Sequence, residues 1–145
     1  MRILGIIPAR SGSKGVVNKN IKELHGKPLI QYTINEALNS DLSEVIVSTD
    51  SQVIKELCID LGVDVPFLRP SYLAEDKSSS MSVVQHALDY MENETGEIYD
   101  AVMLLQPTCP LRSRNDINKA ITLLNGNKVD SVISVCKVDG DHPAR

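Results

Sequence analysis

Residues 6–20 read Ile6-Ile7-Pro8-Ala9-Arg10-Ser11-Gly12-Ser13-Lys14-Gly15-Val16-Val17-Asn18-Lys19-Asn20. The apolar residues 3–7 predict a buried strand, and Pro8 ends its run. Gly12 and Gly15 carry no Cβ, so the following loop lets backbone N–H groups approach an anion closely. The same stretch contributes three cations, Arg10, Lys14 and Lys19. Strand and loop together predict a site for a polyphosphate.

The loop differs from two common phosphate-binding motifs. A P-loop has two glycines separated by four residues, followed by Lys and then Ser or Thr at the start of a helix. Here Lys14 is followed by Gly15, and no helical pattern comes next. The three-glycine spacing of the dinucleotide-binding fingerprint is also absent. The loop therefore predicts a phosphate site of another kind.

The composition excludes several classes of protein. The chain has 145 residues, so we expect one domain over residues 1–145. A net charge of −4, with one Phe, four Tyr and no Trp, disfavours nucleic-acid binding. No segment reaches the roughly 20 apolar residues of a membrane span, and none resembles a signal peptide. We expect a cytoplasmic protein that binds neither nucleic acid nor membrane.

Local charge and the cysteines narrow the choice further. Residues 10–27 carry five cations against one acid, a positive patch that suits a small anionic ligand. The three cysteines show no zinc-like spacing and indicate free thiols in a reducing compartment. The three histidines show no metal-ligand spacing either, and residues 139–143 predict a turn.

Apolar runs alternate with helical periods along the chain. Strands are predicted at residues 3–7, 44–48, 63–68, 101–105 and 131–135. The alternation predicts an α/β fold of three layers, in which helices flank a largely parallel sheet. Ligands of such sheets bind beyond the carboxyl ends of the strands. Four polar residues follow predicted strands at that edge: Arg10, Asp50, Arg69 and Gln106.

Four amphipathic helices are predicted between the strands. Pro28 is expected to open the first, Asp50 to cap the second, and Gly62 to end the second. Ser48 and Thr49, just before Asp50, are candidates to line a pocket. The faces expected to pack on the sheet are Ile30, Ile34, Ala37 and Leu38; Val53, Ile54, Leu57, Cys58 and Leu61; Met81, Val84, Leu88 and Met91; and Ile117, Ala120, Ile121 and Leu124.

Residues 7–20 resemble the signature I-P-A-R-x-G-S-K-G-x-x-x-K-N of the acylneuraminate cytidylyltransferases at every fixed position. Residues 69–80 resemble that family's R-P-x-x-L-A-x-D-x-x-S-S segment. Residues 104–112 resemble its L-L-Q-P-T-S-P-L-R segment, with Cys109 in the usual Ser position. Many members carry Pro where Val17 or Asn18 stands here. The resemblance covers essentially the whole chain and extends to the enzymes for pseudaminic and legionaminic acids.

The resemblance implies a Rossmann-like nucleotidyltransferase fold that transfers CMP from CTP to a nine-carbon, sialic-type keto-sugar acid and releases pyrophosphate. It implies catalytic roles for Arg10, Lys14 and Lys19, and a sugar contact for Gln106. The implied nucleotide-binding residues are Ala9, Arg10, Gly12, Ser13, Lys14, Asn20, Arg69, Ser78 and Ser79. In that family, the Arg and a Ser of the second segment meet the cytosine.

The resemblance also implies Mg²⁺ or Mn²⁺ and a homodimer. Because members of the family run further than Arg145, we expect this chain to be the N-terminal portion of a longer pattern. The metal-binding carboxylates are accordingly expected beyond Arg145, with no metal ligand in this chain. Cys109 has no base beside it in the sequence and is not expected to act as a nucleophile.

Two alternatives stay open. The chain could belong to another sugar-nucleotide pyrophosphorylase, or it could be a CTP-binding module without turnover if the metal-binding segment is naturally absent.

Cytosine offers acceptors at O2 and N3 and a donor at N4, which a guanidinium and a backbone carbonyl can satisfy. A uracil reverses the polarity at N3 and at position 4, so such a site would reject it.

Overall fold

The structure is a computed structural model that describes residues 1–12, 15–126 and 129–135. The strands of this part of the chain are β1 (Ile3–Pro8), β2 (Glu23–Leu24), β3 (Lys27–Pro28), β4 (Glu44–Ser48) and β5 (Ala101–Leu104). Strands β1, β4 and β5 form one parallel sheet in the order β4-β1-β5, with Gly5 opposite both Val45 and Met103.

Within the described residues, four α-helices connect and cover these strands. They are α1 (Leu29–Leu38), α2 (Gln52–Asp60), α3 (Ser80–Thr95) and α4 (Arg114–Gly126). Two short 3-10 turns, Lys19–Ile21 and Ser71–Leu73, lie in the connections. Among the described residues, no helix combines the length and the apolar character needed to cross a membrane.

The side chains of β1 alternate between two apolar clusters, as the period of a strand requires. Ile3 and Ile7 belong to the cluster that includes buried residues of α1, α2 and α4. Leu4 and Ile6 face the opposite way and share a cluster with Val84, Ala87 and Met91 of α3. The predicted three-layer arrangement, with helices on both faces of a parallel sheet, is confirmed.

Gly5 permits a close approach on β1. A Cβ at this position would lie 2.8 Å from Cδ1 of Leu42, which precedes β4. A contact that short is not tolerated, so any larger residue would displace Leu42. The glycine therefore belongs to the packing between β1 and the entry to β4.

The predicted strand over residues 63–68 is only partly formed. Two isolated parallel bridges, Ile46 with Asp64 and Thr49 with Leu68, place this segment beside β4. Pro66 lies between the two bridges and has no N–H to donate, so a continuous ladder cannot form there. The segment runs along the sheet edge without becoming a regular strand, which corrects the prediction.

The predicted strand over residues 131–135 is wrong. These residues have no regular secondary structure, and the side chain of Ile133 is 79% exposed. Among the described residues, none pairs with them as a strand. An alternating apolar pattern makes a strand only where a neighbouring strand accepts its hydrogen bonds.

The helix predictions hold in position and fail in some details. Pro28 precedes α1 directly, and Gly62, with φ at +83°, follows the end of α2 as expected. Ser51 rather than Asp50 caps α2, since its side chain accepts a hydrogen bond from the Ile54 N–H at 3.3 Å. Asp50 instead accepts hydrogen bonds from Ser11.

Three residues predicted on buried helix faces are instead exposed. They are Leu38, Val53 and Met81, and Met81 reaches 72%. Val53 and Met81 sit in the first turns of α2 and α3, where the helices leave the sheet edge. Thr33 and Val83, outside the predicted stripes, are buried in α1 and α3.

A small antiparallel hairpin was not predicted. Strands β2 and β3 pair Glu23 with Pro28, and both turn residues, His25 and Gly26, have positive φ. Positive φ at both central residues is the hallmark of a two-residue type I′ hairpin turn. The His25-Gly26 dipeptide was the signal available, but the flanking strands are too short to show alternation.

Candidate functional site at the carboxyl edge of the sheet

A cavity of about 240 Å³ opens at the edge where β1 and β5 end. Its lining includes six residues that the sequence analysis selected: Arg10, Lys19, Asn20, Arg69, Ser78 and Gln106. These residues span almost a hundred positions of sequence and come from three connections, those after β1, α2 and β5. The parallel sheet brings them together because its strands all end at this edge.

Arg10 lies two residues after the end of β1 and is half-buried at the cavity wall. Its Nη1 lies 2.7 Å from Oδ1 of Asp76 and donates to the carbonyl of Ala74 at 3.3 Å. The guanidinium therefore joins the loop after β1 to the segment before α3. A guanidinium in this position can bind phosphate oxygens through charge-assisted hydrogen bonds.

Lys19 and Asn20 lie in the first 3-10 turn, which Asn18 enters with a left-handed φ of 53°. The Asn20 side chain is buried and its Nδ2 donates to the carbonyl of Arg10 at 3.1 Å. Asn20 thereby ties the turn to Arg10 in the loop after β1. Lys19 is half-buried beside it and lines the cavity, so its charge faces the same space as that of Arg10.

Arg69 is the most enclosed cation of the cavity, only 6% exposed. Its Nε donates to the Ser48 hydroxyl at 3.0 Å, its Nη1 to the Leu73 carbonyl at 3.4 Å, and its Nη2 to the Ser48 carbonyl. Burial lowers the pKa of this guanidinium, the Asp50 carboxylate raises it, and the charge of Arg10 lowers it. Arg69 thus bridges the end of β4 and the 3-10 turn at Leu73.

The two serines before α3, Ser78 and Ser79, have different contacts. Ser79 caps the helix by accepting a hydrogen bond from the Ser82 N–H at 3.0 Å. Ser78 lines the cavity, and its hydroxyl donates to the Tyr72 carbonyl at 2.7 Å. Ser79 is not part of the cavity wall, whereas the next residue, Ser80, is.

Gln106 stands just past β5, with its side chain exposed at the cavity. Its carbonyl accepts hydrogen bonds from Nη2 of Arg112 at 3.0 Å and from the Cys109 N–H at 3.3 Å. Arg112 therefore holds this turn. The carboxamide of Gln106 is consequently presented from a turn that is fixed at its backbone.

Some selected residues do not reach the cavity. Ala9 is fully buried, and its N–H donates to the Ser48 carbonyl at 2.9 Å. Gly12 lines an adjoining shallow pocket with Arg10 and residues 74–77. Ser48 and Thr49 were predicted to line a pocket, but both are fully buried and neither belongs to the cavity lining. The predicted sites Ser13 and Lys14, and the turn over residues 139–143, lie outside the described residues.

The sequence analysis missed two acidic residues of the lining, Glu75 and Asp76. Asp76 was present in the quoted R-P-x-x-L-A-x-D-x-x-S-S segment, but nothing in its local context indicated a contact with Arg10, which lies 66 positions earlier. Only the folded chain brings these two charges together. The lining is therefore not uniformly cationic.

The described residues do not form a metal site of their own. Within residues 1–12, 15–126 and 129–135, no three His, Cys, Asp or Glu side chains converge as metal ligands. The Asp76 carboxylate in the cavity lining pairs with Arg10 at 2.7 Å.

A family model described as cytidylyltransferase matches residues 4–143. The pseudaminic acid cytidylyltransferase of Campylobacter jejuni is 42% identical over 121 residues, which cover 83% of this chain and 52% of that protein. The N-acylneuraminate cytidylyltransferase of Escherichia coli is 44% identical over 94% of this chain and 32% of its own length. The CMP-N,N'-diacetyllegionaminic acid synthase of Legionella pneumophila is 42% identical over 91% of this chain and 58% of its own.

Solved structures support the same fold. A CMP:2-keto-3-deoxy-manno-octonic acid synthetase complexed with CTP superposes with a TM-score of 0.74 at 23% identity, over 88% of this chain and 48% of that one. A cytidylyltransferase of Leptospira borgpetersenii gives a TM-score of 0.63 at 21% identity, over 88% and 50%. The chain spans about half the length of these structures and of the Campylobacter relative.

Proposed function

The chain belongs to the cytidylyltransferase family, and we propose that it provides the nucleotide site of an enzyme that activates a sialic-type nonulosonic acid with CTP. The products are the CMP-sugar and pyrophosphate. The observation that supports this most directly is the meeting of Arg10, Lys19, Arg69 and Gln106 around one cavity at the carboxyl edge of the sheet.

The cations at the β1 end suit the triphosphate. Arg10 and Lys19 lie on the same wall, and Lys14 follows in the same loop of the sequence. We propose that Lys19 stabilises the negative charge that grows on the α-phosphate during transfer, because charges aimed at a transition state accelerate the step most. Arg10 and Lys14 would bind the phosphates that leave as pyrophosphate.

Arg69 is suited to bind the cytosine base, but its existing hydrogen bonds limit the number of donors that it can offer. A guanidinium has five N–H donors, and three of them already bond Ser48 and Leu73. At most two donors remain for the O2 and N3 acceptors of cytosine. These three hydrogen bonds orient the Arg69 guanidinium in advance, and we propose that the base meets a fixed pair of N–H donors.

The remaining wall suits the acceptor sugar. Gln106 presents a carboxamide from a turn that Arg112 fixes at its backbone. In the proposed reaction, the anomeric hydroxyl of the sugar acid attacks the α-phosphorus in line, so a new P–O bond forms while the bond to the β-phosphate oxygen breaks. The hydroxyl proton leaves to solvent, and pyrophosphate is released.

The assignments of Ala9, Gly12, Ser13, Asn20, Ser78 and Ser79 as nucleotide contacts stay predictions. Three of them have roles in the ligand-free fold that do not need a nucleotide: Ala9 in the sheet, Asn20 beneath Arg10, and Ser79 as a helix cap. The expected dimer, the cytoplasmic location and the requirement for Mg²⁺ or Mn²⁺ are also predictions. A chelator that abolishes turnover, with recovery on adding Mg²⁺, would support the last.

The test is pyrophosphate release by the full-length protein with CTP and, in separate assays, N-acetylneuraminate, pseudaminic acid and diacetyllegionaminic acid. We expect turnover with CTP and with at least one acid, and much weaker turnover when UTP, GTP or ATP replaces CTP. Equal use of the four nucleotides would contradict the cytosine assignment. Tight CTP binding without turnover with any acid would favour the non-catalytic alternative.

A further inference from the structure

Asp50 contacts the start of the phosphate loop through both of its carboxylate oxygens. Oδ1 accepts a hydrogen bond from the Ser11 N–H at 2.9 Å, and Oδ2 accepts one from the Ser11 hydroxyl at 2.7 Å. The two residues are separated by 39 positions of sequence and come from the ends of β1 and β4. One side chain thereby fixes both the backbone and the side chain of Ser11.

Helix α2 leaves Asp50 free for this contact. The residue stands directly before Ser51, and Ser51 caps the helix by accepting from the Ile54 N–H. The Thr49 hydroxyl accepts from the Ser51 N–H at 3.1 Å, which fixes the turn between β4 and α2. With its neighbours holding that turn, Asp50 is directed across the sheet edge towards the loop after β1.

Ser11 lies between two residues of the proposed site. Arg10 lines the cavity and bonds Asp76, while Gly12 lines the adjoining pocket. Asn20 also bonds the Arg10 carbonyl. Asp50 thus supplies, at Ser11, one of the contacts that fix the backbone as it leaves β1, next to the Asn20 contact at Arg10.

We propose that Asp50 is a positioning residue of the transfer reaction: through Ser11 it sets the path of the loop that carries the phosphate-binding cations. Because Asp50 accepts from both donors of Ser11, the backbone N–H groups after Arg10 that remain available to the phosphates begin at Gly12. This proposal rests on the proposed function. It assigns to Asp50 no contact with substrate.

Two variants separate geometry from charge. Asp50→Asn keeps an oxygen for the Ser11 N–H and can donate its amide to the Ser11 hydroxyl, so it retains the geometry without the charge. Asp50→Ala removes both contacts. We expect Asp50→Ala to lower kcat about 10²-fold, since a misplacement of about 1 Å costs that much. Asp50→Asn should stay within about fivefold of wild type, and KM for CTP should change less than about fivefold in either.

Matched controls complete the kinetic test. Asp60→Ala removes an exposed carboxylate at the other end of α2 and should leave kcat and KM unchanged. Ser11→Ala should give a smaller loss than Asp50→Ala, and the double variant no more than Asp50→Ala alone, because both act through one contact. An Asp50→Ala enzyme of wild-type kcat, or an Asp50→Asn enzyme as slow as Asp50→Ala, would overturn the proposal.

A readout on the ligand-free protein keeps this test apart from that of the proposed function. Amide hydrogen exchange at Ser11, followed by NMR, should be slow in wild type and in Asp50→Asn and fast in Asp50→Ala. Unprotected Ser11 in wild type would refute the contact whatever the enzyme does. If wild type shows the protection but no turnover with CTP and any of the three acids, the proposed function fails and the positioning role fails with it.

Discussion

Two walls of one cavity hold arginines in opposite ways. On the wall formed by Arg10, Lys19 and Asn20, the Arg10 side chain is 33% exposed and pairs with the carboxylate of Asp76. On the wall formed by Arg69 and Leu73, the guanidinium is buried and bonds the hydroxyl and carbonyl of Ser48, which lies behind the lining, and the carbonyl of Leu73. We call these the exchange wall and the frame wall.

The difference follows from the energetics of the partners. A half-exposed ion pair contributes about 0–1 kcal/mol, so Arg10 can leave Asp76 for a phosphate at little cost. A buried guanidinium that lost its acceptors would leave polar groups unsatisfied at about 1–3 kcal/mol each, so Arg69 stays where it is. The same residue type is therefore proposed as a ligand-binding charge on one wall, whereas its hydrogen bonds make it part of the scaffold on the other.

The largest effect is expected on the exchange wall, from Lys19→Ala. Loss of the cation proposed at the α-phosphate should lower kcat about 10²–10³-fold, since it removes charge stabilisation that grows in the transition state. The dissociation constant for CTP should rise much less. Steady-state kinetics and calorimetry measure the two quantities. Lys22→Ala, an exposed cation outside the cavity lining, is the matched control, and equal losses in both variants would refute the assigned role.

On the frame wall, Arg69→Ala should reduce the free energy of unfolding by about 3 kcal/mol, because it strands the buried Ser48 and Leu73 acceptors. CTP binding should weaken at the same time. Arg69→Lys should not restore stability, since an ammonium cannot reproduce the fork that spans Ser48 and Leu73. Denaturant titration with Arg114→Ala as an exposed control gives the comparison. A stable Arg69→Ala protein would show that the frame wall does not depend on this side chain.

A smaller effect of the opposite sign is expected from Asp76→Asn. The carboxylate competes with phosphate for Arg10 and repels it, so neutralising Asp76 should tighten CTP binding about two- to fivefold, the range of a surface ion pair. Titrations at low and high salt should show the gain shrinking as salt screens the charge. Weaker CTP binding by Asp76→Asn would show that Asp76 supports the site and does not compete with phosphate for Arg10.

The smallest expected effect is a difference in thiol reactivity between Cys58 and Cys109, which differ in burial. Burial raises the pKa of the Cys58 thiol to about 12, whereas Cys109 is exposed. At pH 8 a thiol reagent should label Cys109 in the folded protein and leave Cys58 unmodified until denaturant is added. Mass spectrometry of digested protein identifies the labelled site. Rapid labelling of Cys58 under native conditions would contradict its burial.

The same raised pKa gives a pH dependence of stability. The unfolded thiol loses its proton near pH 9 and the folded one near pH 12, so the folded state binds more protons in that window and stability falls as pH rises through it. At neutral pH the thiol is protonated in both states and makes no such contribution. Cys58→Ala should flatten this alkaline decline, which thermal unfolding between pH 8 and 11 can measure.

Most of the fold could be predicted because its signals are local. The apolar runs of β1, β4 and β5 and the helical stripes of α1 to α4 act within a few residues, and the end of α2 needed only Gly62. Residues 63–68 and 131–135 carried strand patterns too. Whether they form strands depended on Pro66 in one case and on a neighbouring strand in the other.

The site divides in the same way. Motifs selected Arg10, Lys19, Arg69 and Gln106, and the order of strands and helices was enough to place them at one edge of the sheet. The partners of these residues could not be predicted, since Asp76 lies 66 positions from Arg10 and Ser48 lies 21 from Arg69. Asp50 was assigned to its neighbouring helix because capping is the stronger local expectation.

Residue type and local order alone therefore specified a parallel α/β sheet and the chemistry gathered at its carboxyl edge. Tertiary packing determined that Arg69 is buried among its acceptors whereas Arg10 is half-exposed at the cavity. It also determined that Asp50 accepts hydrogen bonds from Ser11 and does not cap its neighbouring helix. The physical reason is range. Backbone propensities and caps act over one or two turns, whereas burial and ion pairing depend on groups that meet only when distant strand ends come together.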